Sequence, residues 1–211
     1  QVGEDAFGTH ILKVLQSNGV DTGNVFRTGK ANTGLAFVSL DASGNREFSF
    51  FRNPSADLFL CEEQITPAMF ADCAALHFCS VDLVDWPVKA AHRRAIGLAQ
   101  EAGALISFDP NVRLPLWERP EDCQAAIRAF LPFADLVKLS DDEVEFVTGC
   151  KEEREAARRL FAGGCRMLLV TRGADGAAIY TRGAYAETET IPVPVTDTTG
   201  AGDSFIGSFL Y

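Results

Sequence analysis

VTDTTGAGDSFIGSFLY, running from Val195 to Tyr211, is the stretch from which the rest of the chain is read. A β-like segment, Ile191 to Thr196, leads into Asp197, Thr198 and Thr199, then into Gly200-Ala201-Gly202 and the opening of a helix. Phe205, Ile206, Phe209 and Leu210 recur at helical spacing and define one apolar face. Two glycines without side chains let a bulky anion reach the backbone N–H groups of a helix start, which are unpaired and lie at its positive end. Asp203 then falls in the first turn, beside whatever anion the glycines hold. A carboxylate there is suited to taking a proton from a hydroxyl while the N–H groups steady the charge on a transferring phosphoryl group. The plainer reading is that Asp203 only favours the helix dipole and the glycines only make a tight turn.

The full string Asp197-Thr-Thr-Gly-Ala-Gly-Asp203-Ser-Phe resembles the C-terminal signature of the ribokinase/pfkB family of carbohydrate kinases, D-T-x-G-A-G-D-x-F, at every fixed position. The resemblance implies that Asp203 is the catalytic base and that Gly200, Ala201 and Gly202 form the anion hole. It also implies that Asp197 and Thr199 offer oxygens to a monovalent cation, K⁺ being the candidate.

The chain has 211 residues, of which 47% are hydrophobic and 23% charged, as in a soluble globular protein with a real core. Its formal net charge of −10 argues against nonspecific binding to nucleic acid or acidic membranes. No apolar run is long enough to span a membrane. Six scattered cysteines without a Cys-x-x-Cys pair point to a reduced, cytoplasmic protein. Cys73 and His77 would share a metal only if both lay on one helix. Tyr211 falls inside an apolar helical pattern and Gln1 begins abruptly. The expectation is therefore a single α/β domain over residues 1–211 that is the middle of a longer protein, lacking N- and C-terminal parts.

Working back from the signature, Ala6 to Asn18 reads as a helix with Ile11, Leu12 and Leu15, joined by Phe7 and Val14, facing inward. Period two then takes over: Gly34 to Leu40 and Arg46 to Phe51 flank the polar loop Asp41–Asn45, with Gly44 free for a positive φ, as in a β-hairpin. Ala36, Val38, Leu40, Phe48 and Phe50 give that hairpin an apolar face. From Thr66 onward short helices alternate with buried strands: helix Pro67–Cys73, strand Ala75–Cys79, a helix capped by Asp85 and running through Glu101 on Val88, Ala91, Ala95 and Leu98, and strand Ala104–Phe108. Helix Pro120–Phe130, strand Asp135–Leu139, helix Glu152–Phe161 and strand Met167–Val170 follow, and then antiparallel strands Ala177–Thr181 and Ala184–Thr190 at one edge. This alternation means βαβ units and a mostly parallel central sheet with helices on both faces.

Ligands of such sheets bind beyond the C-terminal strand ends. There the sequence places Asp109-Pro-Asn-Val-Arg113, Ser140-Asp-Asp-Glu143 and Thr171-Arg-Gly-Ala-Asp-Gly176. Arg113 can hold sugar hydroxyls, a carboxylate or a phosphate, or can form a loop salt bridge. Ser140 with Glu143 is equally a capping box, and the acidic run Asp141–Glu155 reads as the solvated face around two helix starts. His10, His77 and His92 read as core or surface residues.

Asp-Pro-Asn-x-Arg followed by Leu116-Trp117 resembles fructokinases and 2-keto-3-deoxygluconate kinases, which implies that Arg113 faces the substrate. Arg52-Asn-Pro-Ser-Ala-Asp57 is similar to the fructokinase segment at a lid hinge, which adds Arg52 and Asn53 to the substrate residues and makes about 33–52 a small β lid. The resemblance further implies a ribokinase-like fold and a nucleotide turn at Thr171, Gly173 and Gly176. Where the family has Asn-x-x-Glu, this chain has Ser140, which leaves Glu143 as the participant toward Mg²⁺, through water. The expected activity is ATP-dependent transfer of the γ-phosphoryl group to a primary hydroxyl of a ketose, fructose first. The alternatives are 2-keto-3-deoxygluconate kinase, ribokinase, nucleoside kinase, or a non-catalytic sugar or nucleotide sensor. Partners are the sugar and ATP, with a homodimer through the lid strands.

Overall fold

Asp5 sets the geometry of the first part of the chain. Its Oδ1 accepts the Gly8 N–H at 2.8 Å, capping the first helix, and its two oxygens also take the Thr33 N–H and hydroxyl at 2.7 and 2.9 Å. These bonds hold the carboxyl below the usual aspartate range, the Gly8 N–H contributing most. The computed structural model describes residues 1–40, 46–195 and 197–211. It divides into two compact units, residues 1–71 with 82–95, and residues 72–81 with 96–211.

In the first unit, β1 (Val2–Gly3) pairs in parallel with β2 (Arg27–Thr28), and α1 (Ala6–Ser17) lies between them in sequence. Gly8 is the buried residue of α1. The Asp5–Thr33 clamp turns that side of the helix inward, so Phe7, Ile11 and Val14 are exposed, contrary to the inward face expected of them. Next, β3 (Leu35–Leu40) and β4 (Arg46–Phe51) form the expected antiparallel hairpin. The loop Asp41–Asn45, with Gly44, lies outside the described residues, as do the side chains of Leu40 and Phe48. Phe37 and Phe51 meet edge to face at 5.3 Å and both are exposed, as is Val38. Both faces of the hairpin therefore show apolar groups to solvent.

A cis Asn53–Pro54 bond follows the hairpin, then a 3-10 turn at Ala56–Phe59. The helix expected over Pro67–Cys73 is a single 3-10 turn, Pro67–Phe70, ending at buried Phe70. Helix α2 (Pro87–Glu101) starts with proline at its first position, where the missing N–H costs nothing, so Asp85 lies ahead of the cap. Its buried residues are Val88, Ala91, Ile96 and Ala99; Ala95 and Leu98 are half-buried.

The second unit is built on a six-stranded sheet. Its strands are β5 (Ala75–Cys79), β6 (Leu105–Asp109), β7 (Leu136–Ser140), β8 (Met167–Thr171), β9 (Ala177–Thr181) and β10 (Tyr185–Thr188), in spatial order β10-β9-β8-β7-β6-β5. Strands β5 to β8 are parallel, and β9 and β10 fold back antiparallel at one edge, as the pattern predicts. His77 lies in β5, so no helix pairs it with Cys73.

The side chains alternate between two faces. On one, Phe78 stacks on Phe108 at 4.4 Å and meets Phe130 of α3 (Pro120–Phe130) edge to face, over a layer of Ile106, Val137, Leu139, Leu168 and Val170. Helix α4 (Asp141–Thr148) packs on β7, and α5 (Glu153–Ala162) packs on β8 and β9. On the other face, Leu136 and Leu169 hold Ile206 of α6 (Ala201–Leu210), with Leu105, Met167, Ile179, Phe205 and Leu210 around them.

Ile191 to Val195 is not a strand, and Ile191, Val193 and Val195 are exposed. Pro192 and Pro194 remove alternate N–H donors, which a sheet ladder needs. Thr196 lies outside the described residues. Among the described residues no helix is long and apolar enough to cross a membrane.

Candidate active site

The face of the sheet that carries α6 is apolar at the start of the strands and polar at their C-terminal ends. Parallel register puts His77 beside Ser107, Cys79 beside Asp109, and Leu136 beside Ser107. His77 Nδ1 and the Ser107 hydroxyl are 2.9 Å apart. Burial lowers the pKa of His77, with the nearby Asp203 carboxylate opposing that shift and Lys138 reinforcing it. Asp109 and Lys138 form an ion pair at 2.9 Å, both side chains almost fully buried. Burial raises the Asp109 pKa, and the Lys138 ammonium works against that rise.

Helix α6 begins directly over this polar strip. Gly200 caps it in the left-handed conformation, φ 77°, which L side chains rarely adopt. Ala201 N–H bonds to Thr198 O and Ser204 N–H to Gly200 O, while the N–H groups of Gly202 and Asp203 belong to the helix start and have no intrahelical acceptor. A Cβ on Gly202 would stand 3.2 Å from Lys138 Nζ. Asp203 is exposed in the first turn. Upstream, Asp197 Oδ1 accepts both the N–H and the hydroxyl of Thr199 at 2.8 Å.

The loop after β6 is held in an uncommon conformation. Asn111 has φ 45° and donates its N–H to Asp109 Oδ1 at 3.1 Å. Glu143 ties this loop to the next strand: its two oxygens accept the Val112 N–H at 2.6 Å and the Ser140 N–H at 3.0 Å. The capping box expected of Ser140 and Glu143 therefore forms at the start of α4, and Glu143 is buried within an acidic run that read as solvated. Arg113 is half-buried, with Nη1 on Val112 O at 2.9 Å.

After β8, Thr171 sends its hydroxyl to Leu139 O, and Gly173 opens a 3-10 turn that closes at Gly176. Gly176 has φ 88°, and a Cβ there would lie 1.9 Å from Thr188 O. Arg172 fixes the turn by a two-pronged bond to Glu153, Nε and Nη2 at 2.7 and 2.6 Å, to which the Tyr180 hydroxyl adds another at 2.6 Å.

In the first unit Arg52 is engaged by two carboxylates, Asp57 and Asp82, and Asn53 is exposed beside the cis bond. Burial raises the Asp82 pKa.

Asp203, the Gly200–Gly202 run and the loops ending β6, β7 and β8 thus belong to one end of one sheet. Lys138 and its partner Asp109 were not recognised from sequence as a unit. The signal was a lysine inside an otherwise apolar parallel strand, Leu136-Val-Lys-Leu-Ser140.

Compared with known proteins, the sequence matches the description "pfkB family carbohydrate kinase" over residues 1–211. The chain belongs to the pfkB family of carbohydrate kinases. It is 41% identical to fructokinase-2 of Solanum habrochaites over 211 residues, all of this chain and 64% of that protein. The chain therefore spans about two thirds of the curated relatives it matches. The crystal structure of fructokinase with bound ATP from Xylella fastidiosa has a TM-score of 0.92 and 37% identity, covering 100% of this chain and 65% of the other. A fructokinase double mutant from Vibrio cholerae O395 in its fructose, ADP and potassium ion bound form gives 0.90 and 34%, covering 100% and 67%. The ribokinase-like α/β fold of the pfkB family, expected from the terminal signature, is the fold found.

Proposed function

We propose that the protein is part of an ATP-dependent fructokinase. The observation that carries this reading is the start of α6: an aspartate in its first turn, beside N–H groups that have no acceptor within the helix, above a buried lysine. The relatives named as fructokinases support it.

In this reading a primary hydroxyl of fructose attacks the γ-phosphorus of ATP. The new O–P bond forms as the bond to ADP breaks, and ADP leaves with the bridging electron pair. Asp203 takes the hydroxyl proton. The backbone at Gly200, Ala201 and Gly202 steadies the charge on the phosphoryl group in transfer. Arg113 holds the sugar. Thr171, Gly173, Gly176 and Ser140 line the nucleotide.

No group of three or more His, Cys, Asp or Glu among the described residues is arranged to hold a bare metal ion. Magnesium would come with the nucleotide and offset the charge of its phosphates. Glu143, with both oxygens on backbone N–H groups, would meet it through water. Asp197 and Thr199 supply oxygens for K⁺. In this reading the protein works in the cytoplasm on small molecules, without nucleic acid or membrane, and pairs into a homodimer through its lid strands.

The test is phosphorylation by the full-length protein of a panel containing fructose, ribose, 2-keto-3-deoxygluconate and a nucleoside. Fructose is expected to react fastest. Preference for another acceptor moves the substrate within the family, and absence of any ATP turnover leaves a non-catalytic sensor.

A further inference from the structure

Lys138 sits in the middle of β7, where a parallel sheet covered on both faces has little use for a charge. A buried ion pair gains little net stability over a packed apolar pair, so the Asp109–Lys138 bond is poorly explained by stability alone. An ammonium has three hydrogens, and Asp109 Oδ2 takes one of them at 2.9 Å.

On the side toward α6, the ammonium comes close under Gly202. Among the described residues, Lys138 Nζ is the only non-neighbouring atom within 4 Å of where a Cβ on Gly202 would be. Gly202 has no left-handed φ, unlike Gly200, so its backbone conformation does not demand glycine. At Gly200 the reverse holds: the conformation demands glycine, and among the described residues a Cβ would meet nothing within 4 Å. The two glycines of the signature are needed for different reasons.

We propose that residue 202 is glycine because Lys138 needs the space, so that its ammonium forms the floor of the anion hole and touches the phosphoryl group in transfer. Lys138 is then a further catalytic residue, one that neither gives nor takes a proton, and Asp109 is its positioning residue. This rests on the kinase reading above.

The test is a cycle in the full-length enzyme with ATP and fructose. Lys138→Met alone strands a buried carboxylate, so the neutral background is Asp109→Asn with Lys138→Met, in which the amide oxygen still accepts the Asn111 N–H. Gly202→Ala and this background are each expected to lower kcat about 100-fold, the size of losing one oxyanion-hole donor. The KM for fructose should stay within a few-fold. The combined variant should fall no further than the worse of the two, because both withdraw the same cation. Losses that multiply, or a neutral background with wild-type kcat, overturn the proposal. If that background does not fold, Lys138→Gln replaces it, keeping a donor for Asp109 without a charge, with the same expectations. A wild type that turns over no sugar removes the kinase reading and this role together, whereas an active wild type with multiplying losses removes this role alone.

Discussion

The Glu143 carboxylate accepts the Val112 backbone N–H at 2.6 Å, and so ties the loop that carries Arg113 to the start of α4. Glu143→Ala leaves that N–H and the Ser140 N–H without their acceptor. The expected loss is about 1–3 kcal/mol of stability, read as a lower denaturant midpoint. Release of the loop should also raise the KM for sugar more than that for ATP. Equal change in both would mean that the tie does not position Arg113.

Asp203→Asn keeps the size of the side chain and removes the proposed base. It should cut kcat by several orders of magnitude while ATP binding, followed by calorimetry, stays close to wild type. Near-normal turnover would rule out Asp203 as the proton acceptor.

Gly176→Ala combines a left-handed φ with a Cβ that would lie 1.9 Å from Thr188 O, so the turn must deform. A loss of about 1–3 kcal/mol is expected from the strain, with larger values if the β9–β10 edge opens. Weaker ATP binding should accompany it. An unchanged melting temperature would show that the turn absorbs the methyl group freely.

The Arg172 hydrogen bonds hold the Glu153 carboxyl below its usual value of 4.5, against the effect of burial, and Tyr180 assists. A depressed folded-state pKa gives stability that is present above the unfolded value and is lost as pH falls below it. The gap in denaturant midpoint between wild type and Arg172→Met should therefore be wide at pH 7 and narrow progressively below 4.5. A gap that does not change with pH would assign the effect of Arg172 to packing alone.

The parallel sheet was legible because its strands are short apolar runs separated by helices of clear period, and β5, α3 and β9 fall on or very near the expected residues. Where expectation failed, a local rule had been overridden. Apolar spacing in α1 pointed Phe7, Ile11 and Val14 inward, but the Asp5–Thr33 clamp buries the Gly8 side instead. Alternation suggested a strand at Ile191–Thr196, and the two prolines in it forbid the ladder. The terminal signature showed Gly200 and Asp203 at a helix start. It said nothing of what lies beneath Gly202, because Lys138 is 64 positions away in sequence and meets α6 only through the fold.

Ile206, buried between Leu136 and Leu169, anchors α6 on the sheet. Its depth in that greasy seat acts as a gauge for the distance between the first turn of the helix and the ammonium below. Trimming it to valine would remove no group that meets a ligand, yet it would let the whole rod settle. In the kinase reading, variation at such a position would offer evolution a way to retune turnover while every reacting atom keeps its identity.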